Sequence, residues 1–111
     1  MKKRFLVEFG TGVDLHGGNV TKAAQKALRD AISHCCLTGL TEVAGVEDAV
    51  NTLTLEVRIA TPNKAALNVE EALKALPPYR NIKAEVVDGG MTVRGMHAPG
   101  LGEGDTITMV N

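Results

Sequence analysis

Aromatic side chains are scarce in this 111-residue chain: Phe, Trp and Tyr together make up 3%, and Trp is absent. A large excess of one charge is also missing, because 12 basic and 13 acidic residues leave a formal net charge of −1. Without a basic stripe or an aromatic platform, nucleic-acid binding is not expected. No apolar run is long enough to cross a bilayer, so a membrane partner is not expected either.

Cysteine is limited to the neighbouring pair Cys35 and Cys36, which is poorly placed for a stabilising disulfide. The basic start of the chain resembles the first part of a signal peptide, but Glu8 and the glycines that follow interrupt the apolar run that such a peptide needs. These two features predict a cytoplasmic protein.

The length fits a single domain that spans residues 1–111, and the 44% of apolar residues is ordinary for a globular protein. Because aromatic residues are few, its core has to be built from aliphatic side chains, alanine and methionine.

Apolar periodicity predicts the order strand, helix, strand, helix, hairpin, strand. The predicted strands are residues 4–9, 52–60, 81–88, 91–93 and 106–110, and the predicted helices run from Val20 to Cys35 and from Val69 to Leu76. This order indicates an α+β fold, a small single-layer mixed sheet with two helices packed on one face. The other face of the sheet is expected to be partly exposed to solvent or covered by another subunit.

A glycine-rich segment, Gly10 to Gly18, lies between the first predicted strand and the first helix and carries Asp14 and His16. In an extended segment these two side chains point the same way, so they can hold one divalent cation together. Alternatively, Asp14 orients the imidazole and His16 acts as a general acid or base. A purely structural turn, in which the aspartate bonds its own backbone, is a third interpretation.

The start of a helix favours an anion, and glycines allow close approach of a ligand to the backbone. The amides of Gly10, Gly12, Gly17 and Gly18 are therefore candidate ligands for an anionic group. The spacing of these glycines matches neither the dinucleotide fingerprint nor the P-loop.

His34 and His97 are the other two histidines. His34 projects onto the apolar side of the first helix, where a histidine is usually a core or interface residue, and it is also a candidate third metal ligand. His97 lies in a loop rich in Gly and Pro that is able to close over a site.

The segment Gly10-Thr11-Gly12-Val13-Asp14-Leu15-His16-Gly17 resembles the Gly-x-Gly-x-Asp-x-His-Gly signature of a family of small, mostly bacterial proteins without an assigned activity. The similarity extends along most of the chain. This resemblance supplies no reaction, but it implies that Asp14 and His16 matter for function. A much shorter segment, Gly12, Asp14 and His16, is similar to the metal-binding turn of the methylerythritol cyclodiphosphate synthases, which supports a metal site by analogy only.

These observations lead to two functional hypotheses and a structural one. In the first, a homo-oligomeric enzyme acts on a small polar or anionic molecule, and Asp14 and His16 bind a divalent metal or act as an acid–base pair. In the second, the same loop binds a small molecule without catalysis. In the third, the protein is a structural oligomer whose glycines serve only the turn. A homo-oligomer is expected because so short a chain rarely encloses a full cavity by itself.

Overall fold

The structure is a computed structural model that describes residues 2–101 and 104–111. Its α-helices are α1 (Val20–Ile32), α2 (Thr38–Glu42), α3 (Ala49–Thr52) and α4 (Val69–Leu73), with a 3-10 turn at Lys64–Ala66 before α4. Its strands are β1 (Gly12–Asp14), β2 (Thr54–Thr61), β3 (Asn81–Asp88), β4 (Met91–Arg94) and β5 (Thr106–Val110). The predicted α+β class is confirmed. None of the helices in the described residues has the length and apolar character needed to cross a bilayer.

Helix α1 forms because a polar cap precedes an apolar stripe at helical spacing. The side-chain oxygen of Asn19 accepts the backbone N–H of Lys22 at 3.0 Å, which satisfies one of the free amides at the helix start. The stripe is buried along its length: Val20, Ala23, Ala24, Ala27 and Leu28. Together with Ile59 of β2, Ala72 of α4 and Val110 of β5, most of these side chains form the core.

Helix α1 ends at Ile32, earlier than the predicted Cys35, because the N–H of Ser33 bonds back to the carbonyl of Asp30 and closes the last turn. His34 therefore lies beyond the helix, and 69% of its side chain is exposed. The expectation that His34 lies on the apolar side of the helix is therefore wrong, because the helix ends before this residue.

The strands form two ladders rather than the expected single sheet. Strands β1, β5 and β4 pair antiparallel in that order, and β2 pairs parallel with β3 over its full length. The ladders meet at one point, where Ala60 and Asn111 exchange backbone hydrogen bonds of 2.8 and 3.1 Å. Strand β5 therefore lies beside β1 up to Val110 and beside β2 at Asn111.

The predicted first strand, residues 4–9, is displaced along the chain. Regular pairing starts at Gly12, inside the segment that was predicted to be a loop, because β5 lies opposite β1 only over residues 12–14. Residues 4–9 are extended chain outside either ladder, and their side chains remain accessible, with Phe5 58% and Phe9 88% exposed.

The molecule is elongated, with principal extents of 51 × 23 × 18 Å and a radius of gyration of 16.0 Å. A compact chain of this length has a radius of gyration of about 13 Å. The chain is thus less compact than a globular domain of its length, and large apolar side chains such as Phe5, Phe9 and Met96 are exposed.

Candidate functional site

An open pocket of about 610 Å³ lies at the start of α1. Its walls include Asp14, His16 and Gly17 from the glycine-rich segment and Lys22 and Lys26 from the first two turns of α1. The volume is within the range of small-molecule sites. The pocket therefore brings together both predicted acid–base residues and the predicted helix start.

Asp14 holds the loop that forms this pocket. Its Oδ2 atom accepts the backbone N–H of Asn19 at 2.8 Å, so the carboxylate closes the chain between β1 and α1. Asp14 is 9% exposed and lies directly opposite Thr108 of β5, whose exposure is 1%. One carboxylate oxygen thus accepts a backbone N–H, and the residue also lines the pocket.

Two glycines make the loop possible. Gly17 and Gly18 have φ angles of 108° and 64°, in the region that residues with a side chain rarely adopt. The N–H of Gly18 donates to the carbonyl of Thr106 at 3.2 Å, which fixes the loop to the start of β5. Gly17 lines the pocket and Gly18 anchors the loop, whereas binding of an anion by their amides stays a prediction.

Gly10 and Gly12 have a different role from the predicted one. A Cβ at Gly12 would lie 1.9 Å from the carbonyl oxygen of Ala23, and a Cβ at Gly10 would lie 2.0 Å from that of Ala27. The backbone of α1 therefore packs directly on these two residues. Their absent side chains explain the close approach of helix and strand, and neither residue lines the pocket.

His16 is half-buried in the pocket wall, and its Nδ1 atom is fully buried. Within residues 2–101 and 104–111, this nitrogen has no hydrogen-bond partner. The same is true of the hydroxyl of Thr108, the residue next to Asp14 across the ladder. A buried polar atom without a partner is destabilising by about 1–3 kcal/mol, so an imidazole in this state is a candidate contact for a ligand.

Lys22 and Lys26 add positive charge to the pocket. The Nζ atom of Lys26 donates to the carbonyl of Val13 at 2.9 Å, so this side chain lies along β1. The periodicity of α1 assigns both lysines to the solvent side, and they were not predicted as site residues. The sequence signal that could have identified these lysines as site residues is their i, i+4 spacing close to the capping residue Asn19. This spacing places both of them on one side of the helix start.

The structure does not bring His34 to the pocket. Its Nε2 atom lies 2.9 Å from Oδ1 of Asp30, at the far end of α1 from Asp14 and His16. A 13-residue helix separates them, which corresponds to about 20 Å. Among the described residues, no cluster of three or more His, Cys, Asp or Glu side chains is suited to holding a metal ion.

The loop that carries His97 reaches the pocket through another residue. His97 itself is exposed, whereas Leu101, four residues later, contributes to the pocket wall. His97 does not line the pocket, and closure of this loop over the site stays a prediction.

Comparison with solved structures gives a crystal structure at 1.22 Å resolution of an FtsZ-like protein of unknown function from Nostoc punctiforme PCC 73102. The two chains superpose with a TM-score of 0.85 and are 37% identical, and the match covers 97% of this chain and 88% of that chain. Comparison with curated proteins gives no significant match. A profile described as "Conserved hypothetical protein (Lin0512_fam)" matches residues 4–111, nearly the whole sequence. The chain therefore belongs to the Lin0512 family of conserved hypothetical proteins.

Proposed function

We propose that the protein binds a small anionic molecule in the pocket at the start of α1 and that His16 exchanges a proton with this molecule. The observation that carries the proposal is the imidazole of His16, which is half-buried and lines the pocket together with Lys22 and Lys26. Its Nδ1 atom is closed off from solvent and has no partner among the described residues, so a bound molecule reaches the ring through its exposed part. An imidazole can both accept and donate a proton, so this contact suits proton transfer as well as binding.

Two features favour an anion over a neutral or cationic ligand. The start of α1 contributes the partial positive charge of the helix dipole and its free amides, and Lys22 and Lys26 add two full charges at the pocket. Among residues 2–101 and 104–111, Asp14 is the only acidic side chain in the pocket wall. Because one of its oxygens accepts the Asn19 N–H, its negative charge is partly compensated.

A divalent metal held by Asp14 and His16 is the second candidate. What favours it is that both side chains line one pocket. A catalytic zinc site normally has three protein ligands, and the described residues provide no third His, Cys, Asp or Glu beside this pair. A metal site here therefore requires a further ligand from the bound molecule or from another chain, which makes the acid–base interpretation the simpler one.

Calorimetric titration with inorganic sulfate tests the anion proposal, because sulfate does not itself titrate near pH 7. We expect saturable binding, weakened about tenfold in Lys22→Gln and unchanged in Lys83→Gln, which removes a lysine outside the pocket. Titrations in two buffers of different ionisation enthalpy report the protons taken up on binding. Proton uptake is expected to disappear in His16→Gln and to persist in His34→Gln.

The outcomes separate the parts of the proposal. Absence of saturable binding contradicts an anion site. Binding without proton uptake in the wild-type protein leaves the non-enzymatic binding hypothesis and removes the acid–base role of His16. Elemental analysis of protein prepared without chelator, beside the Asp14→Ala/His16→Ala double variant, tests the metal candidate: a stoichiometric metal that is lost in the variant favours it over the acid–base interpretation.

We further propose that the protein is a homo-oligomer. Val13, Met109 and Met91 are direct neighbours across β1, β5 and β4, on the face of the sheet opposite to α1. Met91 is 55% exposed and Val93, the next outward residue of β4, is 46% exposed. An apolar sheet face of this kind is typical of a subunit interface. Light scattering after size-exclusion chromatography tests it, and a clean monomer contradicts it.

A cytoplasmic location remains part of the proposal. Its support is that Cys35 and Cys36 are free thiols and are exposed, which suits a reducing compartment. Localisation of a fluorescent fusion tests this directly, and accumulation outside the cytoplasm contradicts it.

A further inference from the structure

A second, larger cavity shares no lining residue with the pocket. This groove, of about 1500 Å³, runs between the N-terminal segment (residues 2–10) and strand β2. Its floor is the apolar side of α1, including Ala27, Leu28 and Ala31. Nothing in the anion-binding proposal uses this groove.

The edge of β2 that faces the groove carries unpaired backbone groups. Backbone groups of successive residues in a strand point to opposite edges. The carbonyl of Thr61 accepts from Gly89 on the β3 side, whereas the N–H and carbonyl of Ala60 both bond to Asn111 on the groove side. By this alternation, the backbone groups that also point into the groove are those of Arg58, Glu56 and Thr54. In the described residues, Ala60 is the only β2 residue with a backbone partner on that edge.

The groove is one strand wide where it meets β5. At its end, Asn111 is bonded on one side to the backbone of Ala60 and on the other side to Thr11, whose hydroxyl accepts from the Asn111 side chain at 2.9 Å. Thr11 and Ala60 are thus separated by a single strand. The N-terminal segment precedes Thr11 and β2 contains Ala60, and both line the groove. The space between them therefore continues the line of β5.

We propose that this groove receives one extended segment of a partner polypeptide, which adds a strand antiparallel to β2 and in line with β5. Addition of a strand to an open sheet edge is an established mode of peptide recognition. The observed antiparallel pairing of β5 with β1 and the Ala60–Asn111 pair determine the direction and the register.

The register also determines the chemistry of the partner. Ile59 is buried and Val57 packs against the core, so partner residues opposite these two point toward α1 and have to be apolar. Arg58 and Glu56 are exposed on the other face, so residues opposite them are polar and best carry the complementary charge. The partner is therefore a strand of about six residues with apolar residues at alternate positions, in which an acid precedes a base.

The probe that matches this register is the labelled peptide acetyl-Val-Glu-Val-Lys-Val-Thr-amide, with Glu opposite Arg58 and Lys opposite Glu56. We expect saturable binding by fluorescence anisotropy. A control peptide N-methylated at Glu and Lys has the same side chains but loses the two N–H groups that face β2. Its affinity is expected to be at least about tenfold lower.

Two matched proline variants of the protein test whether the free edge of β2 binds the peptide. Arg58→Pro removes an N–H that faces the groove, whereas Asp88→Pro removes one on the outer edge of β3, which faces away from β2, at a residue that does not line the groove. We expect weaker binding in Arg58→Pro and unchanged binding in Asp88→Pro, with thermal melting as the check that both variants are folded. Because the N-methylated peptide leaves the protein unaltered, the test remains valid if Arg58→Pro does not fold.

Three results would overturn the proposal. The first is no binding of the alternating peptide, and the second is equal binding of the N-methylated control. The third is a wild-type dimer that Arg58→Pro, but not Asp88→Pro, converts into a monomer, since the groove would then be filled by a second copy of this chain.

Discussion

The carboxylate of Asp14 accepts the backbone N–H of Asn19 at 2.8 Å, and Asn19 itself caps α1 by accepting the N–H of Lys22 at 3.0 Å. Two short contacts thus link the end of β1 to the start of α1 and shape the pocket between them. Asp14 is therefore primarily a structural member of the site, and His16 is left as its chemically available group.

Asp14→Ala is expected to lower the free energy of unfolding by about 1–3 kcal/mol, because it leaves a half-buried backbone N–H without its acceptor. Urea denaturation measures this change. Asp48→Ala is the matched control, since in the part of the chain that the structure describes the Asp48 side chain bonds only the exposed side chain of Asn51, at 2.7 Å. Its loss should change stability by less than about 0.5 kcal/mol. Equal stability of both variants would contradict the loop-closing role of Asp14.

Gly12→Ala should be strongly destabilising, by about 3 kcal/mol or more, because the added Cβ would lie 1.9 Å from the carbonyl oxygen of Ala23 and 2.4 Å from the nitrogen of Ala27. Both contacts are to backbone, which can move only if α1 shifts. Gly39→Ala is the control, because no atom lies within 4 Å of its added Cβ and the residue is helical. We expect this control to be neutral or slightly stabilising. Similar melting temperatures for the two variants would show that α1 does not pack on Gly12 as described.

Asp30 makes stability depend on pH. The backbone N–H of Thr11, at 2.9 Å, and then the imidazole of His34 hold the pKa of Asp30 below its ordinary value of 3.8. A carboxyl group with a lowered pKa in the folded state stabilises the fold above its unfolded pKa, and this contribution is lost as the pH falls. Wild-type protein should thus be more stable than Asp30→Asn at pH 7, and the difference should shrink below pH 4. A difference that is constant between pH 7 and pH 2 would contradict the assignment.

Cys35 should react slowly with alkylating reagents. Its Sγ donates to Oε1 of Glu8 at 3.0 Å, and this hydrogen bond to a carboxylate raises the pKa of the thiol. At pH 8 the thiolate is the reactive form, so Glu8→Gln should accelerate alkylation of Cys35 by iodoacetamide. Peptide mass spectrometry measures both cysteines in one sample, with Cys36 as the internal reference. A rate at Cys35 that is unchanged in Glu8→Gln would mean that the contact does not persist in solution.

The sequence predicts those parts of the fold that local patterns determine. The apolar stripe and the Asn19 cap identify α1, and strict alternation identifies β2 and β3 to within two residues. The clustering of Asp14, His16 and Gly17 in one pocket follows from their position between a strand and a helix.

Features that depend on distant parts of the chain were not predictable from such patterns. Residues 4–9 have the alternation of a strand, but their pairing depends on how far β5 runs beside them. The sequence around Gly12 predicts a flexible loop, and the packing of α1 against this glycine is seen only in the folded structure. Lys22 and Lys26 belong to the polar side of α1, and only the path of the preceding loop brings them to the pocket.

The most direct test of the proposed site is a sulfate titration of ¹⁵N-labelled protein, followed by the backbone amide signals and the imidazole nitrogens of His16. The account predicts saturable shifts confined to residues 14–26, to Leu101 and to the His16 ring, with the ring nitrogens moving toward the imidazolium form. A titration in which the His16 ring does not respond, or in which the shifts fall elsewhere on the molecule, would contradict the assignment of this pocket as an anion site served by His16.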